Sequence, residues 1–238
     1  MSVLFPKSFN VFPTVAAIAG LTGAVAAVGG FWYYATPKFW RVGYMPTQPG
    51  GGFNHQLHAG KLGLDCRYCH TKVEKSYEAN IPNVATCYGC HSDGKLNLLV
   101  EGTDQFSASH KQKTEFIRAA YTKDESIPWR RVHKLPDYVH NFPHHVHINA
   151  GVSCFSCHGR IDSMPVVTHD QPLSMSWCLD CHRAPENNIV PKDKVTSLDW
   201  VQKELADRKS GKALSLESKQ QVDVLQKQPP ENCGACHY

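Results

Sequence analysis

The sequence predicts a mostly α and irregular protein, with one N-terminal transmembrane helix leading into a loop-rich domain outside the cytoplasm. Three observations carry this reading. Residues 8 to 37 contain no charged side chain, ten cysteines fall in five Cys-x-x-Cys pairs each followed by histidine, and two histidine-rich segments repeat one another. Between about residues 45 and 190 no helical or strand periodicity is sustained, and Pro and Gly are frequent. The formal charge of +4 over 238 residues is mild and the Lys and Arg are scattered, which gives nucleic acid no basic patch to bind.

The anchor comes first, in residues 1 to 40. The run "VAAIAGLTGAVAAVGGFWYY" is almost wholly apolar and places a span at about 13–34. A helix of ~20 residues rises about 30 Å, the thickness of the hydrocarbon layer. Pro13 suits a first helical turn, and Phe31-Trp32-Tyr33-Tyr34 suits the interface. The run is longer than a signal-peptide core and ends in aromatics instead of a small-residue cleavage site, so a retained anchor is expected. Ala16, Gly20 and Ala24 fall four apart, as do Gly23 and Ala27. That spacing admits a neighbouring membrane helix, although Ala and Gly are common in any such span.

The five motifs are Cys66-Arg-Tyr-Cys69-His70, Cys87-Tyr-Gly-Cys90-His91, Cys154-Phe-Ser-Cys157-His158, Cys178-Leu-Asp-Cys181-His182 and Cys233-Gly-Ala-Cys236-His237. Cys-x-x-Cys-His is the attachment pattern of c-type haem: two thioethers from one turn, and the next histidine as proximal iron ligand. Zinc would pair such hairpins, and five leaves one over; redox disulfides would not explain a histidine at the same offset every time. Five covalently bound haem c groups are therefore expected in a domain spanning 41–238 and wrapped around them. An apoprotein of this kind should fold poorly, because cofactor binding supplies the folding energy. Haem attachment also settles orientation. Lys7 precedes the span while Lys38 and Arg41 follow it, so charge counting does not favour an inside N-terminus. The haem domain is expected on the periplasmic or outer side of a bacterial inner membrane, held by a single pass.

"FNHQLHAGKLGLDCRYCH" leads on to "ATCYGCH", and "FPHHVHINAGVSCFSCH" leads on to "SMSWCLDCH". Each has Phe-x-His-x-x-His, a turn with glycine, then two attachment sites. His55 lies 11 residues before Cys66 and His144 lies 10 before Cys154. A two-haem module at 53–91 is thus repeated at 142–182, with the fifth haem in a C-terminal segment, 183–238. The repeat pairs His55 with His144 and His58 with His147, and leaves His145 opposite Gln56 as a bystander. Residues three apart on a helix share a face yet diverge enough to serve different irons. The pattern resembles class III multihaem cytochromes, which implies that His55 and His144 ligate the haem just downstream and that His58 and His147 reach other haems. One iron then needs a sixth ligand, for which Met164 is preferred, with Met175 and His169 as alternatives. His110, His133 and His140 have no repeat partner.

Between the modules, the insertion at 92–141 contains "KQKTEFIRAAYTKDE", expected to be helical, and "IPWRRVHKLPDYVHNF", a loop or a docking surface. Beyond residue 190, "TSLDWVQKELADRK" and "ESKQQVDVLQK" read as polar helices.

One span, two such modules, "IPWRRVHKLPDYVHNF", "SMSWCLDCHR" and a fifth site together resemble the ActA family, the pentahaem cytochrome c subunits of bacterial alternative complex III. That resemblance covers nearly the whole chain. It implies an electron-transfer subunit of a quinol:acceptor oxidoreductase, without a catalytic site of its own. The implied partners are an iron–sulfur, molybdoenzyme-like subunit, quinol-binding polytopic subunits and a monohaem cytochrome c. The acceptor would be a periplasmic carrier or a terminal oxidase. The runner-up, a NapC/NrfH-like quinol dehydrogenase, has four haems and commonly Cys-x-x-Cys-His-x-Met at its first site, where this chain has Lys72. A multihaem reductase of small oxyanions would keep one iron open, often with lysine replacing the proximal histidine; all five motifs here keep histidine.

Overall fold

The computed structural model describes residues 6–35, 53–95, 110–129, 132, 133, 135, 139, 142–225 and 228–237. The chain divides into two compact units, residues 1–46 and 47–238.

In the first unit a 3-10 turn, Lys7–Asn10, runs into α1, Phe12–Ala35. Its 24 residues rise about 36 Å, enough to cross a bilayer with some tilt. Large apolar residues are exposed all round it, from Phe12 and Val15 to Phe31 and Trp32. The Thr22 hydroxyl donates to the Ile18 carbonyl at 2.8 Å, so it needs no outside partner. A helix apolar on every side has no stable place in water, and α1 is long and apolar enough to span a membrane.

The second unit consists, among the described residues, of short helices and turns without a strand; Val152 and Ile189 form an isolated bridge. A π-helical turn, Gln56–Lys61, opens it. Then come α2, Cys66–Cys69, α3, Val84–His91, and α4, Glu115–Thr122. The second module supplies α5, His144–Ala150, α6, Cys154–His158, and α7, Met175–Arg183. The C-terminal segment supplies α8, Leu198–Lys209, and α9, Leu216–Leu225, and a 3-10 turn, Cys233–Ala235, carries the last motif.

The peptide core is small. Val73, Ile148, Val190, Val195, Val201 and Leu205 form it, with Cys154, Phe155 and Trp200 packed alongside. The segment read as a polar helix carries much of this core. In α8, Leu198, Val201 and Leu205 are buried on one face while charged residues occupy the other, which is the period of an amphipathic helix. Behind it, Arg208 donates to Glu204 at 2.9 Å and to the Ile189 carbonyl at 2.8 Å. Ser215 and Ser218 also donate to Glu204, tying α9 to α8.

Two joints position the attachment turns. Gly151 caps α5 at φ +96°, and a Cβ there would strike the Val190 carbonyl, so the helix turns hard against residues 189–190. The loop at 192–196 grips both modules. Arg67 donates to the Lys192 carbonyl at 3.1 Å, Thr196 donates to Asp65 at 2.7 Å, and the Ser153 hydroxyl donates to the Val195 carbonyl at 2.6 Å. The expected helix of the insertion is α4, which packs on α3 with Tyr121 stacked on Tyr88, centroids 3.7 Å apart and planes 5° from parallel.

Candidate functional site

Each Cys-x-x-Cys pair sits on one turn, and local side-chain capping explains the first four. Asp65 accepts from the Arg67 N–H, Asn83 from Thr86, Ser153 from Phe155 and Ser174 from Trp177. A side-chain acceptor before the first turn satisfies N–H groups that the helix leaves unpaired. The turn then places sulfurs three residues apart on a common face. The fifth motif makes its turn as a 3-10 helix, and the His237 N–H closes it on the Cys233 carbonyl at 2.9 Å.

Residues of all five motifs line one cavity of about 2810 Å³, together with His55, His58, His144 and His147. A single-ligand pocket holds roughly 300–1,000 Å³, so the space fits several large groups. It is walled by the small peptide core. Among the described residues no three or more His, Cys, Asp or Glu converge as a metal cage, the arrangement a zinc centre would need.

The histidines repeat in three dimensions as they do along the chain. Phe53 stacks on His58 at 4.4 Å and 24°, and Phe142 stacks on His147 at 4.6 Å and 26°. The same phenylalanines meet His55 and His144 edge-on, at 84° and 86°. His58 Nδ1 is 2.8 Å from the Asn54 carbonyl and His147 Nδ1 is 2.9 Å from that of Pro143, each four residues back. His144 Nδ1 reaches the Tyr77 carbonyl at 2.7 Å, across the two modules. A ring that donates from Nδ1 keeps its Nε2 lone pair for a metal, and metal-bound histidines are usually oriented in this way.

The second histidine of each motif faces the second attachment site of its own module. His58 and His91 have ring centroids 6.0 Å apart, and His147 and His182 have theirs 6.3 Å apart. One iron bonded at about 2 Å to an Nε2 on either side would need a separation of about 6 Å. The donor set therefore fits haem at these two places. Two other pairs are too close to share an iron: His133 lies 4.2 Å from His158, and His110 lies 5.1 Å from His91.

Burial holds several rings neutral. It lowers His55 to about 4, helped by His70 and His58, and lowers His158 to about 3, helped by His133 and His144. His91 and His133 also fall to about 4, through burial first and then through His110 and His169 respectively. A neutral imidazole is the ligating form. The thiols are mostly pushed the other way, with Cys157 raised to about 12 by burial and by Cys181. Such cysteines are not the depressed-pKa thiolates of redox or nucleophilic sites.

Of the remaining candidates, Met164 is half-buried off the cavity wall. Its thioether accepts from the Thr168 hydroxyl at 3.7 Å and its carbonyl from the Gln56 N–H at 3.2 Å. Met175 is 65% exposed and does border the cavity. His169 stacks on His133 at 5.2 Å. His145 is edge-on to Tyr77 and its backbone N–H donates to the Ser76 carbonyl. His140 lies outside the described residues. Sequence reasoning missed the carbonyls of Asn80, Tyr77 and Pro230, which receive Nδ1 of His70, His144 and His182. A backbone acceptor has no signature in sequence.

Helical turns that present cysteine pairs and histidines to one shared cavity are the arrangement that covalently attached haem groups would need. No family model matches the chain. It is similar to the multihaem cytochrome c subunit of menaquinone reductase from Nitratidesulfovibrio vulgaris, 27% identical over 185 residues, covering 69% of this chain and 79% of that protein.

Proposed function

We propose that this protein is a membrane-anchored pentahaem electron relay in a quinone-linked respiratory complex, on the outer side of a bacterial inner membrane. One observation carries the reading: the five motifs neighbour one another in a single file. Cys87 of the second site adjoins Cys69 of the first, and Cys66 of the first meets Cys154 of the third. Cys157 of the third adjoins Cys181 and Cys178 of the fourth, and Cys178 adjoins Cys236 of the fifth. The order is second, first, third, fourth, fifth. The two exposed cysteines, Cys90 and Cys233, belong to the two ends of this file.

When bound, haem iron supplies one-electron chemistry whose potential is set by axial ligands, hydrogen bonds and burial. The cysteines fix the position of each group. His70, His91, His158, His182 and His237 serve as proximal ligands, with His58 opposite His91 and His147 opposite His182. His55 and His144 serve the first and third sites, as the resemblance to class III cytochromes implies; His55 neighbours His70, and His144, after His133, neighbours His158. The fifth site takes its sixth ligand from outside the repeated histidines. Met175, on the cavity wall, suits that role better than Met164.

The relative's name records reduction of menaquinone, whereas the resemblance to alternative complex III implies oxidation of quinol. A file of haems conducts in either direction, so both readings share the same wire. Iron–sulfur, polytopic and monohaem cytochrome subunits are the partners that the alternative complex III reading calls for. Purification in mild detergent tests it. Five haems per chain by intact mass, co-purifying membrane and iron–sulfur subunits, and quinol oxidation are expected. A lone tetrahaem or smaller chain without quinone activity would sink the proposal, and a complex that only reduces quinone would assign the opposite direction.

A further inference from the structure

The proximal histidines are not supported alike. His70 and His182 each set Nδ1 against a backbone carbonyl, at 2.6 Å from Asn80 and 2.7 Å from Pro230. His91 instead sets Nδ1 3.2 Å from Nε2 of His110, with the two rings 25° from parallel. His91 must keep its Nε2 lone pair for a metal, so the proton is on Nδ1 and His110 accepts it.

The insertion is built to hold His110 there. The Thr114 hydroxyl and N–H both bond to the His110 carbonyl, at 2.7 and 3.0 Å. Arg118 donates to the Thr114 hydroxyl at 3.0 Å and to the His91 carbonyl at 3.4 Å. Its guanidinium also pairs with Asp93 at 3.5 Å, just after the motif. The Tyr88–Tyr121 stack closes the far side of the same two helices. One stretch of the insertion thus grips the second attachment site at its ring, its carbonyl and its flanking helix.

Resting on the reading of Cys87–His91 as a haem site, we infer that His110 is a positioning residue for His91. It accepts the proximal N–H, fixes the ring plane and makes the ligand more basic, which favours ferric over ferrous iron and lowers that haem's potential. His110 itself binds no iron. The second site is one end of the file, so this contact would set how readily an electron enters or leaves there.

The test compares the full-length detergent-purified wild type with H110A, H110F and H110Q. The readouts are haem content by intact mass, midpoint potentials by optical redox titration, and EPR g values. H110A and H110F both remove the acceptor, and H110F keeps an aromatic ring in place. In each, one midpoint should rise and one haem's g values should move, while all haems stay low-spin and the other midpoints hold. H110Q offers an amide oxygen to the same N–H and should return that midpoint towards the wild type. Unchanged midpoints in H110A and H110F would overturn the proposal, as would an H110Q shift equal to theirs. A new high-spin haem in H110A would overturn it too, by making His110 an iron ligand. Should H110A fail to accumulate, H110F against H110Q decides. Absence of haem on Cys87 and Cys90 in the wild type, visible in the mass of the matching peptide, would instead defeat the haem-site reading beneath it.

Discussion

In both modules a phenylalanine lies flat on one histidine and edge-on to another, and the flat-stacked histidine faces the module's second attachment site. The supports underneath differ. Module 142–182 carries its pair on a regular helix ended by Gly151 and backed by α8 and the Glu204–Arg208 pair. Module 53–91 carries its pair on a π-helical turn, with Leu62 N–H bonded to the Leu57 carbonyl. Its second site leans on the insertion. The π turn accounts for the one-residue difference between the repeats, 11 against 10 from histidine to cysteine. An i→i+5 turn absorbs one extra residue without moving the histidines at its start. The geometry of the histidines and phenylalanines is what the two copies share, while the scaffold around each differs.

The largest expected effect tests the shared part. H58A and H147A should each turn one haem high-spin, seen as a high-spin EPR signal worth one haem per chain. A change in only one of the two variants would break the equivalence of the modules. Next comes the turn after each histidine pair. G151A places a Cβ against the Val190 carbonyl at positive φ and should cost about 3 kcal/mol. G63A, at φ +68° with nothing within 4 Å, should cost only about 1 kcal/mol. Equal losses in thermal or denaturant unfolding would show that the two turns are not loaded differently.

A smaller effect probes the C-terminal support. Burial alone would raise the Glu204 carboxyl, but hydrogen bonds from Arg208, Ser215 and Ser218 outweigh it and hold it below the usual range. Because the folded value is depressed, its contribution is present above the ordinary glutamate range and lost as pH falls through the folded value. E204Q should therefore cost about 1–3 kcal/mol at neutral pH, and less in acid. Unfolding midpoints measured across pH would refute this if the difference between E204Q and wild type grew on acidification. The smallest effect is that of the phenylalanines. F53L and F142L should each lose about 0.5–1.5 kcal/mol of aromatic contact and alter the g values of one haem. Identical spectra for wild type and both variants would mean that stacking does not set the ring plane.

Much of this arrangement was legible in the sequence. Cysteine spacing marks each attachment turn because the chemistry needs two sulfurs and a histidine on contiguous residues. The apolar run marks α1 because a bilayer demands length and composition, which a sequence displays directly. The repeat is displayed as directly: it pairs His144 and His147 with His55 and His58, and leaves His145 opposite Gln56. The partners of His58 and His147 could not be read, since His91 and His182 are 33 and 35 residues further on and only the fold brings them near. His110 was hidden by having no counterpart in the other module. The burial of α8 was hidden by its charges, which outnumber three well-spaced apolar residues.

The loop at 192–196 has a consequence for how such a chain matures. Its bonds to Asp65 and Arg67 join residues more than 120 positions apart. A chain made from its N-terminus presents Cys66, Cys69 and His70 long before Thr196 arrives to brace them. The first four attachment turns, by contrast, are each capped by a side chain a few residues away and can form as soon as they emerge. Haem loading can thus run ahead of tertiary closure. A nascent chain stalled before residue 192 should carry haem at its first sites and still be open to protease.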